Sequence, residues 1–326
     1  MDDLIKNVLV NDLPLIDVRA PAEFAKGALP TSVNLPVMDD EERRQVGLTY
    51  RKHGQERAIR LGFELVSGSR KEVVVSAWLA FIKANPEAHL YCARGGLRSE
   101  IACDWIAAEG AALPRIPGGY KAIRNFLLGA LAALPPVFLV SGQTGCGKTR
   151  FLRSFTRMVD LEGLANHRGS AFGAKLLPQP PQASFENALA ITLLKLGNQK
   201  PVLLEDEGKL IGRINLPPSL QKAMAQAPIL LIEASLEERT ASIYQEYIID
   251  QWADYQAVCQ ASGQDAFEAF SSYLLTAMDG IKKRLGGLAH REIRTQMETA
   301  LARQQQSGKL DGHKGWIEQL LSQYYD

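Results

Sequence analysis

The run His89-Leu90-Tyr91-Cys92-Ala93-Arg94-Gly95-Gly96-Leu97-Arg98-Ser99 brings one thiol, two arginines and two glycines into a single loop. An apolar strand leads into Cys92, and an apolar helix from Ile101 to Ala108 follows the loop. Glycines let a backbone curl its N–H groups around one point, and a helix start adds its positive dipole end. Gly95, Gly96 and Ser99 would form such an anion loop, with Arg94 and Arg98 supplying charge. A thiol at that point ionises readily and is a competent nucleophile. The bland alternative is a core cysteine beside an ordinary turn, but two arginines and two glycines are poor core material.

A second constellation is Gly142-Gln143-Thr144-Gly145-Cys146-Gly147-Lys148-Thr149, which fits the phosphate loop G-x-x-x-x-G-K-T. The apolar strand Val137–Val140 precedes it, and a helix is predicted from Arg150 to Val159. Gly142, Gly145 and Gly147 allow the backbone N–H groups to face phosphate oxygens. Lys148 would reach the terminal phosphates and the Thr149 hydroxyl would sit on Mg²⁺. Cys146 is read as a packing residue. Downstream, Pro201–Glu207 reads as an apolar strand ending in three acids. Asp206, with Glu205 second, is the expected Walker B-like carboxylate, so Thr149 and Asp206 form the expected Mg²⁺ site.

The elements that must position these groups follow from the rest of the chain. The 326 residues are 46% hydrophobic and 22% charged with a formal net charge of +1, which suits about two globular domains. No apolar run reaches the roughly 18 residues of a membrane span. The acidic start Met1-Asp2-Asp3 lacks a signal-peptide pattern, so a cytoplasmic protein without a membrane partner is expected. The four cysteines are scattered, which argues against a disulfide framework or a structural zinc site. Leu134-Pro135-Pro136 cannot continue the preceding helix, Lys121–Ala133, and divides the chain into domains 1–134 and 135–326. Alternating strands and helices predict an α/β fold, with a parallel-sheet phosphate-loop domain that becomes wholly helical after Glu238. The aromatics there, among them Tyr247, Tyr255 and Phe270, are expected in the core. Two basic stretches are candidates for RNA contact: Arg43 to Arg60, where nearby acids favour a merely solvated face, and Lys282 to Arg294.

The N-terminal half carries Asp17-Val18-Arg19, Glu23-Phe24, Gly27-Ala28-Leu29-Pro30 and Asn34-Leu35-Pro36, followed by the Cys92 loop and Pro117-Gly118-Gly119-Tyr120-Lys121-Ala122. In this order the motifs resemble the rhodanese (sulfurtransferase) family. A rhodanese-like domain ahead of a phosphate-loop domain closely resembles the bacterial tRNA 2-selenouridine synthase family over essentially the whole chain. Arg60–Gly68, with Gly62 matching a family glycine, and Glu205-Asp206-Glu207 with Ile211-Gly212 add to the match. The resemblance implies that the wobble 2-thiouridine of tRNAs for Lys, Glu and Gln is S-geranylated from geranyl diphosphate. Selenium from selenophosphate then replaces the geranylthio group, with Cys92 as an S-selanylcysteine intermediate. No Asp-rich prenyl-diphosphate motif is present, so the phosphate loop is expected to bind geranyl diphosphate; ATP use is left open, and a monomer is expected.

Other function classes fit parts of the chain. Cys92 through Arg98 has the C-x₅-R spacing of cysteine phosphatases, although Tyr91 stands where those enzymes place His. A rhodanese-type sulfurtransferase with a nucleotide-driven second domain is the main alternative. A regulatory nucleotide-binding module is the third, and it has no need of an intact Cys92, Arg94 and Arg98.

Overall fold

The computed structural model describes residues 1–325. They form two compact units, residues 1–133 with 181–197, and residues 134–180 with 198 onward. One junction, between Ala133 and Leu134, lies one residue from the expected boundary after Leu134. The stretch 181–197, which the sequence assigned to the second domain, belongs to the first unit. Its helix, Gln182–Leu196, buries Phe185, Leu189, Ala190 and Leu193 and packs on helices Gly119–Ala132 and Asp2–Val10. Asn187 on this helix accepts from Arg124 Nη1 (2.9 Å) and donates to the Ala28 carbonyl (3.0 Å).

In the first unit, strands β1 (Leu15–Asp17), β2 (Ser32–Asn34) and β3 (His89–Tyr91) form a parallel sheet in the order β2-β1-β3. Parallel neighbours require crossovers, here made by helices. The β2-to-β3 crossover is long: helix Asp40–Leu65, then helix Gly68–Ala84. Asp39 caps the first, its Oδ1 accepting from the Glu42 amide at 2.8 Å while Glu42 Oε2 accepts from the Asp39 amide. Gly54, at φ 81°, breaks this helix in a conformation that side-chain-bearing residues rarely adopt. Ile16, Val18, Trp78, Leu90, Ala102 and Ile106 fill the core. The helix after the Cys92 loop runs Leu97–Ala108, starting earlier than expected, inside the loop's arginine pair.

In the second unit, strands β4 (Val137–Ser141), β5 (Met158–Val159), β6 (Val202–Glu205) and β9 (Ile229–Leu231) form a parallel sheet in the order β5-β6-β4-β9. Between β6 and β9 lies a short hairpin, β7 (Leu210–Ile211) with β8 (Ile214–Asn215). The helix predicted over Arg150–Val159 is corrected: it covers only Lys148–Leu152, and Met158–Val159 instead pair with Leu203–Leu204. Arg153, just past the helix, is turned onto Asp160 at 2.7 Å, and the apolar pair gains strand pairing that a longer helix would forgo.

Ser235 caps helix Leu236–Ile243 as its pattern predicts, accepting from the Glu238 amide at 3.2 Å. Beyond it the chain is mostly helical as far as Tyr325, with turns at 263–265 and 308–312. Tyr247, Tyr255, Phe270, Trp316 and Ile317 form its core, so these aromatics do pack inside rather than present faces for base stacking. Within the Lys282–Arg294 stretch, His290 is buried, and Arg294 pairs with Asp279 and Glu298. Lys282 and Lys283 remain exposed. No helix among the described residues is long and apolar enough to cross a membrane.

Candidate functional site

Cys92 follows β3 directly and is buried at 3% exposure. Its thiol donates to Ser99 Oγ at 3.3 Å, and the Ser99 hydroxyl donates to the Gly96 carbonyl at 2.7 Å. Burial opposes ionisation of the thiol. The Ser99 hydroxyl, the backbone amides of Arg94 and Ser99, and the charge of Arg98 outweigh it and hold the thiol below its ordinary value. The loop is braced from behind by the Pro117–Tyr120 turn. The Tyr120 amide donates to the Cys92 carbonyl (2.8 Å) and the Lys121 amide to the Ala93 carbonyl (3.0 Å). This contact demands glycine. Gly119, at φ 58°, has no room for a Cβ, which would collide with the Cys92 carbonyl oxygen.

The two arginines of the loop differ. Arg94 is exposed. Arg98 is partly buried and held by Glu23, with Nη1 donating to Oε2 at 2.5 Å and Nη2 to Oε1 at 3.1 Å. Burial tends to raise the Glu23 carboxyl, but Arg98 first and then the Ala20 amide and Arg43 carry it below its usual range. Glu23 was visible in the sequence only as part of a motif, with no role. Asp17 and Arg19 form a buried ion pair (2.6 Å), and the Arg19 guanidinium lies 3.9 Å from the centre of the Tyr120 ring. They fix the strand end and the bracing turn rather than face the thiol. Tyr91, in the place where phosphatases carry His, is buried against Tyr120.

Beside the Cys92 loop is a cavity of about 770 Å³. Arg94, Gly96, Leu97 and Arg98 line it together with Gly62 and other residues of the two long crossover helices' first member, Asp40–Leu65. Gly62 thus lines the same cavity as Arg94, Gly96 and Arg98.

In the second unit, the predicted loop connects β4 to helix Lys148–Leu152, with Gly142, Gly145 and Gly147 at φ 152°, 84° and 87°. Lys148 Nζ donates to the Gly142 carbonyl at 2.7 Å, lying along its own loop. Cys146 is buried and packs near Gly142, consistent with a packing role. Arg239, 2% exposed, was read only as part of a helix start. Its Nε donates to the Thr144 carbonyl (2.9 Å) and its Nη1 to Gln143 Oε1 (3.0 Å), so it holds the loop from below.

A cavity of about 730 Å³ is lined by Lys148, Thr149, Glu162, Asp206 and Glu207. Asp206 is exposed and accepts from Ser141 Oγ at 2.7 Å. Glu205 does not join it. It is fully buried, with Oε2 accepting from the Leu161 and Glu162 amides at 2.8 and 3.3 Å, and burial first, then Asp160 and Glu162, push its carboxyl up to about 7. Glu162 and Glu207, and not Glu205, line the cavity beside Asp206. Thr149 Oγ1 donates to Glu162 Oε2 at 3.4 Å, and burial first raises both glutamate carboxyls, helped by the charge of Glu207 at Glu162 and by that of Glu205 at Glu207. Among the described residues no group of three or more His, Cys, Asp or Glu is arranged to hold a metal. A phosphate loop needs no such cage, because Mg²⁺ there leans on one hydroxyl, one carboxylate, phosphate oxygens and water. Thr149 and Asp206 fit that donor set.

Residues 135–326 match the family described as "tRNA 2-selenouridine synthase AAA domain". The chain is 48% identical to the tRNA 2-selenouridine synthase of Marinobacter nauticus, over 100% of this chain and 89% of that one. It is 48% identical to that of Shewanella pealeana, over 98% and 89%, and 47% identical to that of Pseudomonas fluorescens, over 98% and 88%. With both of its units spanned by relatives at this level, the chain belongs to the tRNA 2-selenouridine synthase family of tRNA-modifying enzymes.

Proposed function

We propose that this enzyme makes 2-selenouridine in two steps divided between its two loops. In the first, the phosphate loop binds geranyl diphosphate, and the 2-thiouridine sulfur at the wobble position of tRNAs for Lys, Glu and Gln takes the geranyl group as diphosphate leaves. Lys148 and the loop amides stabilise the departing charge, the same task such a cradle performs for a nucleotide. Mg²⁺, on Thr149 and Asp206, would neutralise further diphosphate charge.

In the second step, the first unit acts as a rhodanese-type domain. Selenophosphate, a tetrahedral anion, is received by the amides of Gly95, Gly96 and Ser99 and by Arg94. The Cys92 thiolate attacks its selenium, and the S–Se bond of an S-selanylcysteine forms as the Se–P bond breaks and phosphite leaves with the bonding pair. That selenium attacks C2 as the C2–S bond breaks and geranylthiol leaves, and a small-molecule thiol then cleaves the S–Se bond to free 2-selenouridine. A thiocarbonyl sulfur leaves C2 poorly, whereas the alkylated sulfur departs as a thiol when selenium replaces it. Arg98, held by Glu23, contributes its field to Cys92 and sets the loop's shape.

The observation that supports this most is the Cys92 thiol, buried yet held below its ordinary pKa by Ser99 and the loop amides. The partly buried Cys103 is driven the other way by burial. The test is nucleoside mass spectrometry on 2-thiouridine tRNA incubated with geranyl diphosphate and selenophosphate, separately and together. Geranylthiouridine with the first alone, and selenouridine only with both, is expected. Unchanged tRNA in every mixture, with thiosulfate:cyanide turnover present, would replace this reading with a sulfurtransferase.

A further inference from the structure

The substrates assigned to the Cys92 loop are anionic or polar, yet the cavity beside that loop is walled largely by hydrocarbon. Val46, Tyr50, Ile59, Phe63, Leu97 and Trp105 line it. Three of these large side chains stay open to solvent around one cavity: Tyr50 at 57%, Phe63 at 46% and Leu97 at 42% exposure. Grouped exposed apolar surface of this kind marks a binding site rather than a requirement of folding. The wall also includes Gly62, where an added Cβ would meet nothing closer than Val46 Cγ2 at 3.8 Å. Glycine is not forced there by backbone strain; it leaves space in the cavity. Arg43, Arg51 and Arg94 also line the cavity, so an apolar interior and cationic groups occur together. The volume, about 770 Å³, is in the range that encloses a nucleoside-sized ligand with a chain attached.

We infer that this cavity receives the geranyl chain of S-geranyl-2-thiouridine during the selenium step, with Arg51 available to a phosphate of the same tRNA. The inference rests on the two-step reading above. It makes the geranyl group a recognition handle as well as an activator of the leaving sulfur. The cavity discriminates modified from unmodified tRNA by chain length, because only a long chain fills the apolar wall. It belongs wholly to the first unit, so geranylation at the phosphate loop proceeds without it.

The test uses the full-length enzyme with selenophosphate and two tRNAs, one carrying S-geranyl- and one S-methyl-2-thiouridine. Selenouridine formation is followed as kcat/KM. The wild-type enzyme should prefer the geranyl substrate by about 100-fold, a fraction of what full burial of the longer chain allows. Phe63→Ser and Tyr50→Ser, both at exposed positions, should cut that preference to about 10-fold or less through KM for the geranyl substrate. Ile59→Trp, which fills the cavity, should do the same. S-methyl turnover and geranylation of 2-thiouridine tRNA should not change. Equal use of both substrates by the wild type would overturn the inference while leaving the two-step reading intact. Equal losses on both substrates in the variants would also overturn it, assigning the cavity to the base instead of the chain. A wild type that turns neither tRNA into selenouridine would bring down the two-step reading and this inference together.

Discussion

The guanidinium of Arg98 and the carboxylate of Glu23, 75 residues apart in the chain, form a two-point ion pair with contacts of 2.5 and 3.1 Å at the edge of the Cys92 loop. Paired hydrogen bonds of this type fix a guanidinium's plane as well as its position. Glu23→Gln keeps the shape and removes the charge, so Arg98 should lose its fixed orientation. The selenium step is expected to slow about ten-fold, with a stability loss of roughly 1–2 kcal/mol. Because the folded Glu23 pKa lies below its unfolded value, the pair's contribution is complete above the ordinary carboxyl range and is lost as pH falls through the depressed folded value. Denaturant unfolding of wild type and variant should therefore differ at neutral pH and converge in acid.

The Cys92 thiol gives a second prediction. Ionisation followed by thiolate absorbance, as a difference between wild type and Cys92→Ser, should place Cys92 below its ordinary value and below Cys103. Ser99→Ala removes the hydroxyl that faces the sulfur at 3.3 Å and should move the Cys92 titration upward. An unchanged titration in Ser99→Ala would mean that the backbone amides and Arg98 set it without the hydroxyl.

Close approach of Gly119 to the Cys92 carbonyl sets a third. Gly119→Ala is strained both by φ 58° and by the collision with that oxygen. It should cost on the order of 1–3 kcal/mol in unfolding free energy and abolish the selenium step while geranylation persists. A variant with wild-type stability and selenation would show that the turn yields easily.

Arg239 supplies the fourth. Removing its hold on Thr144 and Gln143 with Arg239→Ala should weaken geranyl diphosphate binding about ten-fold, equivalent to about 1.4 kcal/mol. Isothermal titration of both proteins checks it. Arg239→Lys, which can reach one of the two partners but not both, should fall between them.

Both loops were legible in the sequence because their chemistry is local. Cys92, Arg94, Gly95 and Ser99 lie within one turn of chain, as do Gly142 through Thr149, and local backbone geometry explains their types. What escaped was set by distant packing. Glu23 acquires its role only when its helix meets a loop far along the chain. Glu162 has no motif, and the raised pKa values of Glu162 and Glu207 exist only once both are buried together. Glu205 ends strand β6 and Asp206 follows it, so adjacent side chains go one inward and one outward, and the sequence does not say which. Helix Gln182–Leu196 shows an apolar face that either sheet could use, and Met158–Val159 are too short a pair to signal a strand.

Crossing variants with substrates tests whether the two loops divide the two steps between them. Lys148→Ala and Cys92→Ser would each be given 2-thiouridine tRNA with geranyl diphosphate and, separately, S-geranylated tRNA with selenophosphate, with products read by nucleoside mass spectrometry. Lys148→Ala is predicted to lose geranylation and still selenate the geranylated tRNA; Cys92→Ser is predicted to do the reverse. Loss of both steps in both folded variants would contradict two separate sites and point to one shared site.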